Sequence, residues 1–447
     1  MLKMHRATCD VNLNVERFDE LVTALATRQH FGLKHSASCG ILATAGLDPT
    51  PETLAACQIS SRDRTLGRYP EMQGVEFFFS GDDFFSLQLG LQRFRDKPGE
   101  IRIANVLTVA HVFDSSRPDS EEKFDEFCKA VTAALADSGG SSKAARWRPS
   151  APVPRIFREL TVAERARKPT KPDLTAAMEL ANRPSRDVLF EIKKVGVITV
   201  SQLENALKGA KKLPVEDVVG RLQACGLLAR EYLVVCKSQS RVIVMADTSE
   251  KLQAILAEGT KCGCGRLLSE ERVEEGVTPT AVAVKLTDHS KWMTVLVVKE
   301  LMEAGLSEED ILTEATAGAS EMDVLVNVLG NLVLLELKDR EFSWGDSNAF
   351  SNKILRYDAS DGIVVTTDVV APDAKQSIEE LLGIAKLRRT ARPGEVPVTY
   401  VEGLEDLPSK LKAVVQQRAR SAAASELSRM EPVANISIPD LLLTKFQ

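Results

Sequence analysis

The feature that most constrains this chain lies in its last third. Glu321-Met322-Asp323-Val324-Leu325-Val326 and Leu332-Val333-Leu334-Leu335-Glu336-Leu337-Lys338 are two largely apolar runs that meet at a Gly330-Asn331 step. Such a pair reads as a β-hairpin. Side chains alternate across a strand, so Glu336 and Lys338 share one face, beside Asp323 on the neighbouring strand. Charges on strands otherwise built of Val and Leu cost several kcal/mol each unless something compensates them. A divalent cation is the natural compensation. Hard ions such as Mg²⁺ take carboxylate oxygens, and a neighbouring ammonium can orient a water for attack on phosphorus. These residues therefore point to metal-assisted hydrolysis of a phosphodiester.

The stretch resembles the PD-(D/E)XK nuclease superfamily, in which an acid on one strand precedes a (D/E)-x-K on the next. The resemblance implies that Asp323 and Glu336 hold Mg²⁺ (or Mn²⁺), that the Leu337 carbonyl adds a ligand, and that Lys338 positions the nucleophilic water. The flanking segments agree: a helix carrying Trp292, Val295, Val298 and Leu301 comes before, a helix from about Asn348 to Tyr357 and the apolar strand Gly362–Thr367 come after. Together they give the αβββαβ order of a restriction-endonuclease-like core. Many members carry a further acid on the first helix soon after an aromatic residue, but here Trp292 is followed by Met293 and Thr294. Glu300, Glu303 and Glu321 are the substitutes, each equally readable as a solvated glutamate. On the later helix Phe350, Ile354 and Tyr357 form an apolar stripe. Lys353 and Arg356 lie off it, either as a grip on phosphates or as a solvated face.

At 447 residues the chain is too long for one ordinary core, and its length predicts about three domains. Its 44% hydrophobic and 27% charged residues are those of a soluble globular protein. No run of about eighteen apolar residues and no signal-peptide-like segment occurs, so a cytoplasmic protein without a membrane partner is expected. Eight cysteines spread through so long a chain predict no structural disulfides. A net charge of −6 does not favour nucleic acid, yet local charge decides, and basic residues cluster. Lys143, Arg146, Arg148, Arg155, Arg158, Arg165, Arg167, Lys168 and Lys171 alternate with prolines from Pro149 to Pro172. This reads as a partly extended tether that either neutralises phosphates or is simply solvated.

The expected organisation is multidomain and mixes α/β with α+β parts. An N-terminal α/β domain of no recognised type covers 1–142 and a basic Pro-rich linker 143–183. A winged-helix-like module follows over 184–235, then a degenerate zinc-ribbon-like connector over 236–284, the nuclease-like domain over 285–403 and a helical tail over 404–447. In the first domain, strands are expected at Val11–Val15, Val75–Phe79 and Ile101–Val112, and helices at Arg17–Ala26 and Ser120–Ala136. Asp82 and Asp83, between phenylalanines, read as turn residues rather than a metal loop. With no chemical motif, this domain is assigned to recognition or assembly, through a homodimer or a partner protein.

Helices at Asp187–Lys194, after Thr199 and from Pro214 to Cys225, followed by the strand Leu227–Val235, resemble a winged helix-turn-helix. Its third helix sets Glu216 and Asp217 against Arg221, poor complementarity for phosphates, although Lys208, Lys211 and Lys212 precede it. Protein packing or a spacer role is the other reading. Cys236 with Lys261-Cys262-Gly263-Cys264-Gly265-Arg266 looks like a reduced zinc ribbon, with Gln239 where a further cysteine would fall. A ribbon that has lost its metal is the preferred reading. Zn²⁺ on Cys236, Cys262 and Cys264 with the remote His289 is the alternative. A charged helix over Glu270–Glu275 would then lead into the nuclease-like domain, and an amphipathic helix over 408–431 would close the chain.

The expected function is an Mg²⁺-dependent endonuclease acting on DNA, by analogy the effector of a restriction or anti-phage system. The alternatives are a non-catalytic DNA-binding or assembly adaptor built on a nuclease-like fold, or a nuclease of RNA or branched DNA.

Overall fold

The computed structural model describes residues 2–13, 15–44, 48, 72–80, 83–97, 100–114, 118–137, 146–150, 153–154, 156–157, 160, 164–207, 214–317, 320–388 and 396–428. The fold is mixed α/β, with three sheets among the described residues. The chain forms two compact units: 1–159 with 327–332 and 412–447, and 160–326 with 333–411.

The first unit is built on an antiparallel sheet of β1 (Leu2–Val11), β2 (Met72–Ser80), β3 (Asp83–Lys97), β4 (Glu100–Asp114) and β5 (Arg148–Pro149), in the order β2-β3-β4-β1-β5. Phe85, Leu87 and Leu89 alternate along β3 and meet Leu107 and Val109 of β4 on one buried face. The helices Val15–Thr27 and Ser120–Asp137 cover it, the latter through Phe124, Phe127, Val131 and Leu135 at helical spacing. The strand expected at Val11–Val15 lies earlier, at β1. Lys3, His5 and Arg6 disguise β1 as polar, but its ladder to β4 runs from Leu2 to Val11 and overrides local preference. Asp82 lies outside the described residues. Asp83 is a buried strand residue, bonded by His111 Nε2 at 3.1 Å and Lys123 Nζ at 2.7 Å.

The second unit takes up part of the basic stretch. β6 (Glu164–Arg165) joins a sheet edge, and Thr170 caps the helix Lys171–Ala181 through a capping box with Asp173. The expected linker therefore ends before residue 171; Lys143, Arg155 and Arg158 lie outside the described residues. The helices Arg183–Val195, Val200–Ala206 and Val215–Ala224 follow, with Thr199 and Gln202 forming the predicted cap and Gly226 at φ 77° closing the third. They accompany a sheet of β7 (Ile198–Thr199), β8 (Leu228–Val235), β9 (Val242–Ala246) and β10 (Arg272–Pro279), ordered β7-β10-β8-β9.

The helix expected at Glu270–Glu275 is instead the start of β10. Glutamate favours helix locally, but β10 pairs with β8 from Arg272↔Val235 to Pro279↔Leu228, and Glu275 meets Arg230 of β8 at 3.5 Å. Residues 236–271 are thus an excursion between two strands of one antiparallel ladder rather than a connector.

The third sheet holds β11 (Ile311–Ala317), β12 (Ser320–Val328), β13 (Asn331–Lys338), β14 (Asp361–Thr366) and β15 (Val398–Glu402), ordered β15-β14-β13-β12-β11-β6. Leu329 and Gly330 turn β12 into β13 with φ of 50° and 88°, as a two-residue hairpin requires. β13 runs parallel to β14, and both are buried along their length, which is why they read as continuous apolar runs. The helices Lys291–Glu303 and Trp344–Arg356 flank this core, burying Trp292, Val298 and Leu301 from one and Phe350 and Ile354 from the other. Gly362 lets the latter helix approach, since a Cβ there would lie 2.6 Å from Ile354 Cδ1. The helix Leu407–Ser428 buries Leu411, Val414 and Val415. No described helix is long and apolar enough to cross a membrane.

Candidate active site

The two charged positions of β13 lie at the end of a central strand. Glu336 is buried, and its two oxygens are held separately: Lys338 Nζ is 2.9 Å from Oε1 and Lys353 Nζ 2.8 Å from Oε2. Period-two alternation brings Lys338 to this face, and helical periodicity brings Lys353 from Trp344–Arg356. Asp323, on β12, accepts the Leu337 N–H through Oδ2 at 2.7 Å. The backbone of Leu337, expected to offer its carbonyl, thus meets Asp323 through its nitrogen.

A cleft of about 410 Å³ opens over these groups. Glu321, Asp323 and Glu336 supply its acids, Lys338, Lys353 and Arg356 its bases, and Ala349 and Asn352 complete the lining. Burial, reinforced by repulsion from Glu336, pushes the Asp323 carboxyl up to about 6, against the Leu337 N–H and the two lysines. Burial works to lower the Lys338 ammonium, but the adjacent Glu336 carboxylate outweighs it and raises that group.

Of the acids considered for the first helix, Glu300 binds Lys299 at 2.6 Å, and Lys299 also reaches Glu303 at 3.0 Å. Neither glutamate lines the cleft, whereas the exposed Glu321 does. Lys353 and Arg356, left open between phosphate grip and solvated face, both line it. The helix that presents them is anchored at its start: Ser343 and Asp346 form a capping box, and Arg340 grips Asp346 at 2.8 and 2.9 Å. Burial opposes ionisation of Asp346, yet Arg340 and Ser343 hold its carboxyl well below the usual range.

Sequence reasoning missed the support behind the strand. Asp339 follows Lys338 and is paired with Arg186 Nε at 3.0 Å, both largely buried. Arg186 also donates to the carbonyls of Leu180 and Ala181 and stands 5.1 Å from the Trp292 ring centre. Partners so distant in sequence leave no local signal. Asn352 was missed as well, a polar helix residue with no strand motif beside it.

The cysteines converge. Donor atoms of Cys236, Cys262, Cys264 and Glu271 all lie within 4.8 Å of one another. Cys264 Sγ donates to Glu271 Oε1 at 3.0 Å, and this carboxylate holds the Cys264 thiol up at about 11. His289 is not in the cluster; its Nε2 lies 3.8 Å from Asp288. On the third helix of the Arg183–Ala224 segment, Arg221 is engaged by Glu179 at 3.0 Å. Lys208, Lys211 and Lys212 lie outside the described residues.

No known protein family matches the chain. No curated protein matches it either. Among solved structures, similarity is found to the crystal structure of protein VC1899 from Vibrio cholerae, with 12% identity and a TM-score of 0.30. The match covers 62% of this chain and 65% of that one, less than two thirds of its length. At that TM-score the overlap does not define a shared fold.

Proposed function

We propose that this chain is a divalent-metal-dependent nuclease of the PD-(D/E)XK type, with DNA as the favoured substrate. The observation that carries the reading is the convergence of Asp323, Glu336 and Lys338 with Lys353 and Arg356 in one cleft. The α-β-β-β-α-β succession over 291–366 supports the nuclease-like core, and the three helices with the antiparallel β8–β10 ladder support a winged-helix module beside it. A restriction or anti-phage setting is the one that the resemblance offers.

The donor set suits a hard cation. Two carboxylates close enough for Glu336 to raise Asp323 are a pair that a doubly charged ion would relieve. Asp323 and Glu336 would hold Mg²⁺ or Mn²⁺, with the Leu337 carbonyl as a further donor; when bound, the ion supplies charge to the phosphate and acidifies water. The protein's own groups do the rest. Lys338 offers an ammonium where negative charge grows on phosphorus and orients the attacking water. Lys353 keeps Glu336 in place, and Arg356 presents a guanidinium suited to a phosphate oxygen. Glu321 stands at the rim as the remaining acid.

Purified protein with Mg²⁺ or Mn²⁺ should cleave plasmid or linear DNA, and Lys338→Ala should lower the rate by about 10²–10³-fold or more while leaving the far-ultraviolet circular dichroism unchanged. Equal cleavage by both proteins refutes the site. A folded wild-type protein that cuts neither DNA, RNA nor branched DNA returns the chain to the adaptor reading, in which the Lys338–Glu336–Lys353 cluster only rigidifies the sheet end.

A further inference from the structure

The β8–β10 register decides which residues meet at the open end of that ladder. Val235 pairs with Arg272, so the next residues outward on facing strands are Cys236 and Glu271. The chain between them leaves one strand and returns on the other, and it carries Cys262 and Cys264. Two tight turns aim the sulfurs at one place. The Cys236 N–H donates to Arg241 O at 2.9 Å while Ser240 N–H donates back to Cys236 O at 2.8 Å. Likewise Cys262 N–H donates to Arg266 O at 2.7 Å, and Gly265 N–H to Cys262 O at 2.8 Å. Gly265 has φ 94°, a conformation open to glycine, so this second turn is specified by its sequence.

Beyond the pairing of β9 with β8, from Tyr232↔Ala246 to Val235↔Val242, the excursion has little to hold it. Its apolar cluster contains six buried residues, Val234, Ala246, Leu252 and Leu268 besides Cys236 and Cys262 themselves. Cores of that size usually need a staple. A disulfide cannot serve the whole group, because three thiols are an odd number and all three are free. Thiolates with one carboxylate are a zinc donor set rather than one for Mg²⁺ or Ca²⁺. Tetrahedral Zn²⁺, with sulfur at about 2.3 Å and oxygen at about 2.0 Å, sets its donor atoms about 3.5–3.8 Å apart. That spacing falls inside the 4.8 Å within which the four donors lie. The second oxygen of Glu271 is fixed by the Lys237 N–H at 2.7 Å, as an outer hydrogen bond fixes a ligating carboxylate.

We infer that Cys236, Cys262, Cys264 and Glu271 form a structural Zn²⁺ site, closed by four protein ligands, that pins residues 237–270 to the end of the β8–β10 ladder. The site is independent of the cleavage reading. Metal entry displaces the thiol protons to solvent, and the ion binds without redox change.

The test uses the full chain, expressed with zinc in the medium and purified reduced without chelator. Elemental analysis should find about one zinc per chain. Exchange with Co²⁺ should give a thiolate-to-cobalt charge-transfer band, and a chelator should release the zinc and lower the thermal midpoint. Glu271→Gln keeps all three sulfurs and should lose zinc to a competing chelator at a concentration at least about tenfold lower. Zinc held by Glu271→Gln as tightly as by wild type removes Glu271 from the site. Wild-type protein that purifies without zinc, gives no cobalt band and has Cys236, Cys262 and Cys264 titrating freely or joined in a disulfide overturns the inference.

Discussion

Arg186→Met should destabilise the second unit by about 3–5 kcal/mol, because it strips the cation from a buried pair. The Arg186 side chain is 8% exposed and that of Asp339 11%, with Nε and Oδ1 3.0 Å apart. Methionine keeps much of the volume beside Trp292, so cavity formation contributes little and the loss is electrostatic. The Thr367 hydroxyl at 3.0 Å and the Trp292 indole remain to favour the Asp339 carboxylate, and such neutral donors solvate it far less well than a guanidinium does. Burial already pushes the Asp339 carboxyl up, with Arg186 opposing it. The Leu180 and Ala181 carbonyls also lose their donor, a smaller loss of about 1 kcal/mol each.

The assay is a double-mutant cycle by chemical denaturation, comparing wild type, Arg186→Met, Asp339→Asn and the double variant at one pH. Removing both charges should restore part of the loss, giving a coupling of about 2 kcal/mol or more. Because Asp339 adjoins Lys338, the single Arg186 variant should also cut more slowly, by up to about 10²-fold for a displacement near 1 Å. A single variant within about 1 kcal/mol of wild type, or strict additivity in the cycle, would refute the reasoning.

Two further outcomes follow from the contacts of Glu336 and His111. Lys353→Met removes one of the two ammoniums on Glu336 and should reduce cleavage by about 10–10²-fold; Lys338 stays paired with Glu336 at 2.9 Å, so the thermal midpoint should fall less than in Arg186→Met, and unchanged kinetics would return Lys353 to a packing role. In the first unit, burial lowers the His111 imidazole against the opposing pull of Asp83, and His5 is lowered by burial too. Folding therefore favours neutral histidine: that stability is full above about pH 6.5 and drains as pH falls below it, whereas Asp83, held low by Lys123 and His111 against burial, gives way only under about pH 4. Denaturation midpoints taken from pH 8 to 5 should fall below pH 6.5, and His111→Gln should flatten that fall; a slope identical to wild type would refute it.

The legible parts of this chain are those where local pattern and tertiary demand agree. β12 to β14 could be read because strands buried on both faces leave no choice but Val, Ile and Leu, and Glu336 and Lys338 stood out against that background. Lys353 and Arg356 could be placed off an apolar stripe, but their arrival over Glu336 depends on how the helix Trp344–Arg356 packs. Where pattern and demand disagree, reading failed. β1 carries Lys3, His5 and Arg6 yet pairs along its whole length, and Arg272 to Glu275 have helix-forming composition yet complete a ladder. Glu271 became visible as a partner of the cysteines only through the Val235↔Arg272 register, which no spacing in the sequence encodes.

The charge of the whole chain says little about the cleft. Glu321, Asp323 and Glu336 there face Lys338, Lys353 and Arg356, so the lining groups cancel in formal charge. Both lysines are spent on one carboxylate, which leaves Arg356 as the lining base with no acid partner among the described residues. A polyanion gains little from such a site, since attraction to phosphates scales with the cations left free to meet them. In the proposed nuclease Asp323 and Glu336 would hold a divalent ion, and its two positive charges would tip the balance of the lining groups toward positive. The same carboxylates that would hold the activating cation would thereby make an acidic protein's cleft attractive to nucleic acid.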